Sequence, residues 1–190
     1  MNIEEFAWNK HEQQIKETNE FTYSSPKIKI VDNNELRNQL EESLEKLPQK
    51  FLAKWALSVA VEHLDHLDQH LKNDPRIDLG IETLEKRIAG YIRAFDLRKV
   101  GFIVNELAKE STTEASKYAA RSFAQAIATG HMRGHAMVSS DYAVKLVNVS
   151  NDSSVAVAAT KERERQLRIA KEYFKIEAIR LNVYEDTDIS

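Results

Sequence analysis

The stretch that decides the fold is PQKFLAKWALSVAVEHLDHLDQHLK, residues 48–72. Its apolar residues recur every three or four positions, which is the period of one face of an α-helix. Pro48 stands where a proline favours the first helical turn. Because the first half is apolar on nearly all sides, we expect a helix over about 48–72 at the centre of a bundle. The side chains expected in the core are Phe51, Trp55, Val59 and Leu64.

The rest of the chain repeats this helical pattern between short breaks. Only 5 glycines and 3 prolines occur in 190 residues, which favours long helices over many short strands. Asp32 with Glu35 and Ser111 with Glu114 have the spacing of capping boxes, which begin helices. Further helices are predicted over about 2–18, from Asp32 onward, over about 75–93, from Asp96 onward, and over about 113–129, 135–148 and 154–182.

These patterns predict an all-α fold, either an antiparallel multi-helix bundle or stacked helix pairs, with about seven to eight helices. Helices should hold more than about 65% of the residues, with at most one short strand within 20–31. We divide the chain into three segments. Residues 1–47 form an N-terminal helical extension with an extended connector, residues 48–185 an all-helical domain, and residues 186–190 an acidic tail.

Composition excludes several classes of protein. Lys and Arg number 27 and Asp and Glu number 30, so the net charge is −3 and no basic excess indicates a nucleic-acid partner. The absence of cysteine excludes disulfide scaffolds, thiolate metal sites and cysteine nucleophiles. The longest apolar runs are too short to span a bilayer, and the acidic start lacks the form of a secretory signal. We expect a cytoplasmic protein with neither a nucleic-acid nor a membrane partner.

The segment VEHLDHLDQHL, residues 61–71, contains three histidines that would share one face of the expected helix. His63, His66 and His70 lie three and four positions apart, a spacing that can bind zinc. They could equally flank the buried leucines at a solvated edge. No third ligand is evident from elsewhere, so no metal site is predicted here.

A second histidine pair lies in GHMRGHA, residues 130–136. His131 and His135, with Asp141 nearby in sequence, could bind a metal or transfer a proton. Alternatively, Gly130 ends the preceding helix, and the two rings are structural groups at a helix junction. We expect the structural arrangement, with at least one ring nitrogen bonded to a helix-end carbonyl or a neighbouring side chain. No catalytic residue, cofactor or metal ligand is predicted.

The string KERERQLR, residues 161–168, alternates positive and negative charges. The pattern is typical of a solvated helix face with local ion pairs, and a partner-binding surface is the alternative. The chain also lacks the glycine-rich phosphate loop, the GxSxG elbow and the calcium loop of common enzyme and metal-binding classes. The sequence therefore favours a non-enzymatic protein.

The run AARSFAQAIATGHMRGHAMVSSDYAVKLV, residues 119–147, resembles a signature of the immunity proteins of bacterial polymorphic-toxin systems. That signature contains His-x-x-x-His-Ala followed by Tyr-Ala. An Arg-Glu-Arg string that opens the last helix, here residues 163–165, is a second similarity. The resemblance extends over about 50–185. The positions that carry it, as structural or partner-binding residues, are Arg121, His131, His135, Tyr142, Arg163 and Arg165.

The resemblance implies an all-helical, non-enzymatic protein that neutralises a cognate bacterial toxin by protein–protein contact. Two alternatives stay open. The first is a histidine-dependent metal-binding or hydrolytic protein that uses His131 and His135. The second is a helical adaptor or homodimeric interaction protein, and a homodimer is also compatible with the immunity function.

Overall fold

The computed structural model describes residues 1–151 and 154–187, with side chains as far as residue 180. Within these residues 72% of the chain is helical and no strand is found, so the predicted all-α fold is confirmed. Eight of the nine described α-helices have seven or more residues, close to the predicted number. The helices are Ile3–Phe6 (α1), Lys10–Thr18 (α2), Asn34–Glu45 (α3), Gln49–Val61 (α4), Pro75–Ile88 (α5), Ala94–Glu110 (α6), Glu114–Ala128 (α7), His135–Val149 (α8) and Val155–Thr187 (α9).

Part of the C-terminal prediction lies outside the described residues. Helix α9 continues to Thr187, about five residues beyond its predicted end. Residues 188–190 of the predicted acidic tail are not described, and neither are residues 152 and 153 of the loop before α9.

Helices α4 and α7 lie at the centre of the fold. Helix α7 packs against α4, α5, α6 and α8, and α4 also contacts α8 and α9. The Trp55 side chain of α4 is 0% exposed, and its indole Nε1–H donates to the carbonyl oxygen of Gln166 in α9 at 3.0 Å. The predicted burial of Phe51, Trp55 and Val59 is confirmed, whereas Leu64 is only half-buried.

The helix predicted over 48–72 is wrong in its second half. Helix α4 ends at Val61, and a 3-10 turn follows at Leu64–His66, so the three histidines do not share a helical face. The segment turns because Asp68 binds the start of α7. Its carboxylate accepts the backbone N–H of Thr112 at 2.6 Å and the hydroxyl of Thr113 at 2.7 Å.

Both predicted capping boxes assign the cap to the wrong residue. Asn33, not Asp32, caps α3 by accepting the backbone N–H of Leu36 at 3.1 Å. Thr113, not Ser111, caps α7. Pro48 likewise precedes the first turn of α4 as its N-cap. The predicted positions are one or two residues early because the spacing rule cannot decide among neighbouring polar residues.

Residues 1–47 contribute side chains to the same hydrophobic cluster as the rest of the chain. Phe6 of α1 and both Leu40 and Leu44 of α3 are buried in it. Phe6 also packs edge-on against Phe21, at 5.9 Å between ring centroids. The boundary predicted at residue 47 stays a division of the sequence, with no separate core on its N-terminal side.

Candidate functional site

The connection between α7 and α8 is a tight corner that requires glycine at one position. A Cβ atom on Gly130 would lie 2.6 Å from Cδ2 of Leu97 and 2.7 Å from Cδ1 of Leu84, so any other residue would force these two buried leucine side chains to shift. The absent side chain therefore lets the end of α7 approach α5 and α6 closely.

The carbonyl groups at this corner are bound by side chains from three distant elements. Gln49 donates to the Thr129 carbonyl at 2.5 Å, and Arg87 donates to the Gly130 carbonyl at 3.0 Å. Asn9 donates to the carbonyl of His131 at 3.2 Å. These bonds satisfy groups that lack partners at a helix end. The prediction allowed either a helix-end carbonyl or a neighbouring side chain as the partner of a histidine ring, and these three carbonyls have other donors.

The start of α8 is capped by a carboxylate from α2. Glu12, only 2% exposed, accepts the backbone N–H groups of Arg133 at 2.9 Å and Gly134 at 3.1 Å. A negative charge at a helix N-terminus is favourable because it meets both free N–H groups and the positive end of the helix dipole.

The Arg133 side chain joins this corner to the N-terminal segment. Its fully buried guanidinium donates to the carbonyl groups of Phe6 at 2.5 Å, Leu47 at 2.9 Å and Leu44 at 2.8 Å. It also lies over the Phe6 ring, 3.8 Å from the centroid. Hydrogen bonds therefore fix the corner in two ways: Glu12 binds backbone N–H groups at the start of α8, and the Arg133 side chain binds carbonyl groups of the N-terminal segment.

His131 and His135 lie side by side at this corner, with ring centroids 4.9 Å apart. Nδ1 of His135 lies 2.6 Å from Oε1 of Gln125, and since an amide oxygen only accepts, Nδ1 carries the proton. The predicted position at the helix junction and the predicted ring bond are confirmed for His135. Nδ1 of His131 is buried without a hydrogen-bond partner among the described residues.

Both rings are neutral at neutral pH. Burial, reinforced by the positive charges of Arg98 and Arg87, lowers the pKa of His131 to about 4. Burial and the neighbouring His131 also lower the pKa of His135 to about 4. Neutral rings add no positive charge to the surface around them.

Two adjoining cavities open beside α7, and Gln125 and His135 line both. We call the first, of about 270 Å³, the α6–α7 groove. We call the second, of about 180 Å³, the α7–α8 groove. The side chains of the α6–α7 groove that matter below are Arg98, Phe102, Asn105, Arg121, Gln125 and His131. Those of the α7–α8 groove are Lys27, Gln125, His135, Val138, Asp141 and Tyr142.

Four of the six positions singled out from the sequence therefore lie on these two grooves: Arg121, His131, His135 and Tyr142. Tyr142 also stacks on Tyr118 of α7, with ring centroids 6.2 Å apart. The sequence analysis did not identify the α6 side of the α6–α7 groove, which is formed by Arg98, Phe102 and Asn105. A helical period shows which face of a helix is apolar, but it does not show which of the remaining residues border a cavity.

Of the other two positions, Arg163 is buried and Arg165 is half-buried. Glu162, Arg163 and Gln166 face the interior, whereas Lys161, Glu164 and Arg168 are exposed, so the solvated face predicted for residues 161–168 is found on one side of this stretch only. The alternation of charges does not show which side of α9 meets the core, and here the side with Glu162 and Arg163 is the one that does.

Arg163 is the centre of a buried ion-pair network. Its guanidinium is 0% exposed and donates to Asp32 at 2.6 and 3.0 Å and to Asp141 at 2.7 Å. Ser140 and Gln166 accept from its third nitrogen at 2.5 and 3.0 Å. Nearly all N–H donors of the guanidinium thus have acceptors, as the burial of a charged group requires.

Asp141 belongs to this network and does not activate the histidine pair. Its two carboxylate oxygens accept from Arg37 at 3.1 Å each, and one of them also accepts from Arg163. Both oxygens of this carboxylate are thus occupied by guanidinium donors in the interior, and no described hydrogen bond joins Asp141 to His131 or His135.

A second buried pair extends the network along α9. Glu162 accepts from Arg165 at 2.8 Å, and its carboxylate lies 3.3 Å from Nε2 of His63. Burial would raise the pKa of Glu162, but its contacts with His63 and Arg165 outweigh burial and lower it to about 2. Of the histidines at 63–70, His63 thus stabilises the fold.

Among the side chains that the structure describes, no group of three or more His, Cys, Asp or Glu residues could hold a metal ion. No described helix is long and apolar enough to cross a membrane.

Comparison with known proteins gives one match. The family model described as "Imm-5 like putative immunity protein" matches residues 42–173, well over half of the chain. No curated protein and no solved structure matches. The matched range contains α4 to α8, all residues that line the α6–α7 groove and the buried Arg163 of α9, and the chain therefore belongs to the Imm-5 like immunity protein family.

Proposed function

We propose that this protein is an immunity protein that binds a cognate toxin and neutralises it by protein–protein contact, without catalysing a reaction. The observation that carries the proposal is the family match over residues 42–173. An inhibitor of this kind needs a rigid scaffold and a surface with a few strong anchoring groups.

The two grooves supply such a surface on a scaffold that is held in place. Helix α7, which lines both, is fixed by α4 and α5 behind it and by the corner bonds of Arg87 and Gln49 at its end. Exposed and half-buried aromatic and guanidinium groups border the grooves, and these side chains are the most frequent anchors of protein interfaces.

A non-enzymatic function is supported by the state of the groups that an acid–base mechanism would use. Asp141 is held by Arg37 and Arg163, and burial lowers the pKa of both His131 and His135 to about 4. A general base is most effective with a pKa near the working pH.

The test first asks whether a toxin gene lies next to the gene of this protein, and then whether this protein neutralises the toxin domain of that gene. That domain is expressed from an inducible promoter in a bacterial host, with or without this protein, and both purified chains are also titrated by calorimetry. We expect restored growth and a stoichiometric complex. Unchanged toxicity and no complex, with the protein folded and abundant, would refute the proposal. An unrelated helical protein at equal expression is the control.

A further inference from the structure

We propose that the α6–α7 groove is the part of this protein that contacts the toxin, and that it receives an acidic side chain of the toxin between Arg98 and Arg121, beside Phe102. This inference rests on the proposed function and adds to it the contact surface and the chemistry of the partner.

The first support is the unpaired state of the two arginines. Six arginines form ion pairs with carboxylates of the described residues: Arg37, Arg76, Arg93, Arg163, Arg165 and Arg180. Arg98 and Arg121 are not among them, although both line the groove. Guanidinium groups favour bidentate contact with a carboxylate, so these two have donors available for a partner.

The second support is the local charge. No Asp or Glu is among the described side chains that line the α6–α7 groove. Arg98 and Arg121 line the groove, and the positive charge of Arg87 is also near enough to add to the effect of burial and of Arg98 on the pKa of His131. The groove is thus a positive region on a chain whose net charge is −3, and such a region attracts a negatively charged segment.

The third support is the exposed apolar surface next to these charges. Phe102 of α6 lines the groove and is 68% exposed. On the same helix, the adjacent Ile103 and also Phe95, two turns before Phe102, are exposed. Aromatic residues and arginine are both enriched at protein interfaces.

The fourth support is that Arg121 is already oriented. Its guanidinium donates to Oδ1 of Asn105 across the groove at 2.8 Å. A neutral amide fixes the side chain without neutralising its charge, so less conformational freedom is lost when a carboxylate binds. The volume of about 270 Å³ suits one or two side chains and is small for a folded element.

The observations favour a protein carboxylate over a nucleic-acid phosphate. Phosphate-backbone binding needs several cations that neutralise successive charges, whereas this groove offers two unpaired arginines within a chain of balanced charge. The acidic segment therefore belongs to a protein, and in this family the expected protein is the toxin.

The experiment compares two charge reversals that differ only in position. Arg121→Glu changes the groove, and Arg168→Glu changes an exposed arginine of α9, a helix that packs on α3, α4 and α8. Binding to the toxin domain used in the test of the proposed function is measured by calorimetry, and the folding of each variant by thermal melting. We expect Arg121→Glu to weaken Kd by about 30-fold or more and Arg168→Glu to change it by less than about threefold.

A second arm identifies the partner group. Asp and Glu residues of the toxin domain are replaced by Lys one at a time, and each variant is titrated with Arg121→Glu. We expect one replacement to restore at least about tenfold of the lost affinity. Phe102→Asp should also weaken binding, because it removes the apolar contact and adds a negative charge that repels the acidic side chain of the toxin.

The outcomes separate the inference from the proposed function. If the wild-type chain neither binds nor neutralises the toxin, the proposed function fails. If it does both and Arg121→Glu binds as tightly as Arg168→Glu, only the inference is overturned. The inference is also overturned if no Lys replacement restores affinity, or if Arg121→Glu dissociates a homodimer that forms through this groove and excludes the toxin.

Discussion

Arg163 and Arg121 are both singled out from the sequence as structural or partner-binding positions, yet their surroundings are opposite. Arg163 is 0% exposed and binds two carboxylates, a hydroxyl and an amide. Arg121 is half-buried and binds one amide at the edge of an open groove. Positions singled out by one sequence pattern can therefore be of two kinds: buried residues that stabilise the fold, and residues at a surface groove that are available to a partner. Only the hydrogen-bond and ion-pair partners of each residue distinguish the two kinds.

The difference has an energetic basis. A buried ion pair adds little net stability, because desolvation offsets much of the attraction, but removal of one partner leaves a buried charge uncompensated. When an arginine at the edge of an open groove is removed, no buried carboxylate is left without its partner. The two regions should therefore respond differently to the same substitution.

The largest effect is expected from Arg163→Met, which leaves Asp32 and Asp141 in the interior without their main partner. We expect the free energy of unfolding to fall by about 3–5 kcal/mol, measured by chemical denaturation. Arg168→Met, an exposed change on the same helix, is the control and should stay within about 0.5 kcal/mol. A loss below about 1 kcal/mol for Arg163→Met would remove the distinction between the two regions.

A smaller effect is expected from His135→Ala, which removes the ring that binds Gln125. The loss of stability should be about 1–3 kcal/mol, the cost of a half-buried polar group left without its partner. Protection against the toxin should fall only as far as the folded fraction falls. Full loss of protection by a chain that remains folded would instead place His135 among the contact residues.

The two regions should also lose stability in different pH ranges. His131 and His135 have a pKa of about 4 in the folded chain against about 6.5 when unfolded, so the unfolded state binds protons first. Their contribution is complete above about pH 6.5 and is lost as the pH falls towards 4. Glu162, with a pKa of about 2, loses its contribution only below its unfolded pKa of about 4.3.

Denaturation of the wild-type chain at pH 7 and pH 5 measures this difference. We expect a loss of about 1–2 kcal/mol, after allowance for the partial exposure of His131. The double variant His131→Gln, His135→Gln should show a clearly smaller loss over the same range. An equal loss in the double variant would assign the acid sensitivity to other groups.

The smallest effect on stability is expected from Arg121→Met. Because its only described hydrogen bond is to Asn105, unfolding should change by no more than about 0.5 kcal/mol. The same variant should bind the toxin less tightly, so stability and affinity separate at this position. A stability loss comparable to that of Arg163→Met would show that Arg121 also holds the scaffold.

The sequence predicted the helices better than the contacts between them. Trp55 and the corner at Gly130 could be predicted because each follows from a local pattern, namely a helical period and a glycine after an alanine-rich run. The helix expected through His70 failed because Asp68 binds Thr112 and Thr113, which are distant in sequence.

Only part of the candidate site could be predicted from the sequence, because here too the contacts join residues that are distant in sequence. The resemblance identified Arg121 and His131, but no local pattern showed that Arg98 and Phe102 face them across a cavity. The buried state of Arg163 depends on Asp32, which is 131 residues away. Partners at such separations leave no periodic signal in one sequence, because the spacing between them is set by the whole fold.

The cap that Glu12 places on α8 has a consequence for how the chain reaches its native state. Its bonds join residues 121 and 122 positions apart, and the bond from Arg133 to Phe6 spans 127. Closing such long loops costs entropy before any contact is gained, which slows folding and raises its cooperativity. Helices α1 and α2 therefore gain these contacts only once residues near 133 have been synthesised and brought close.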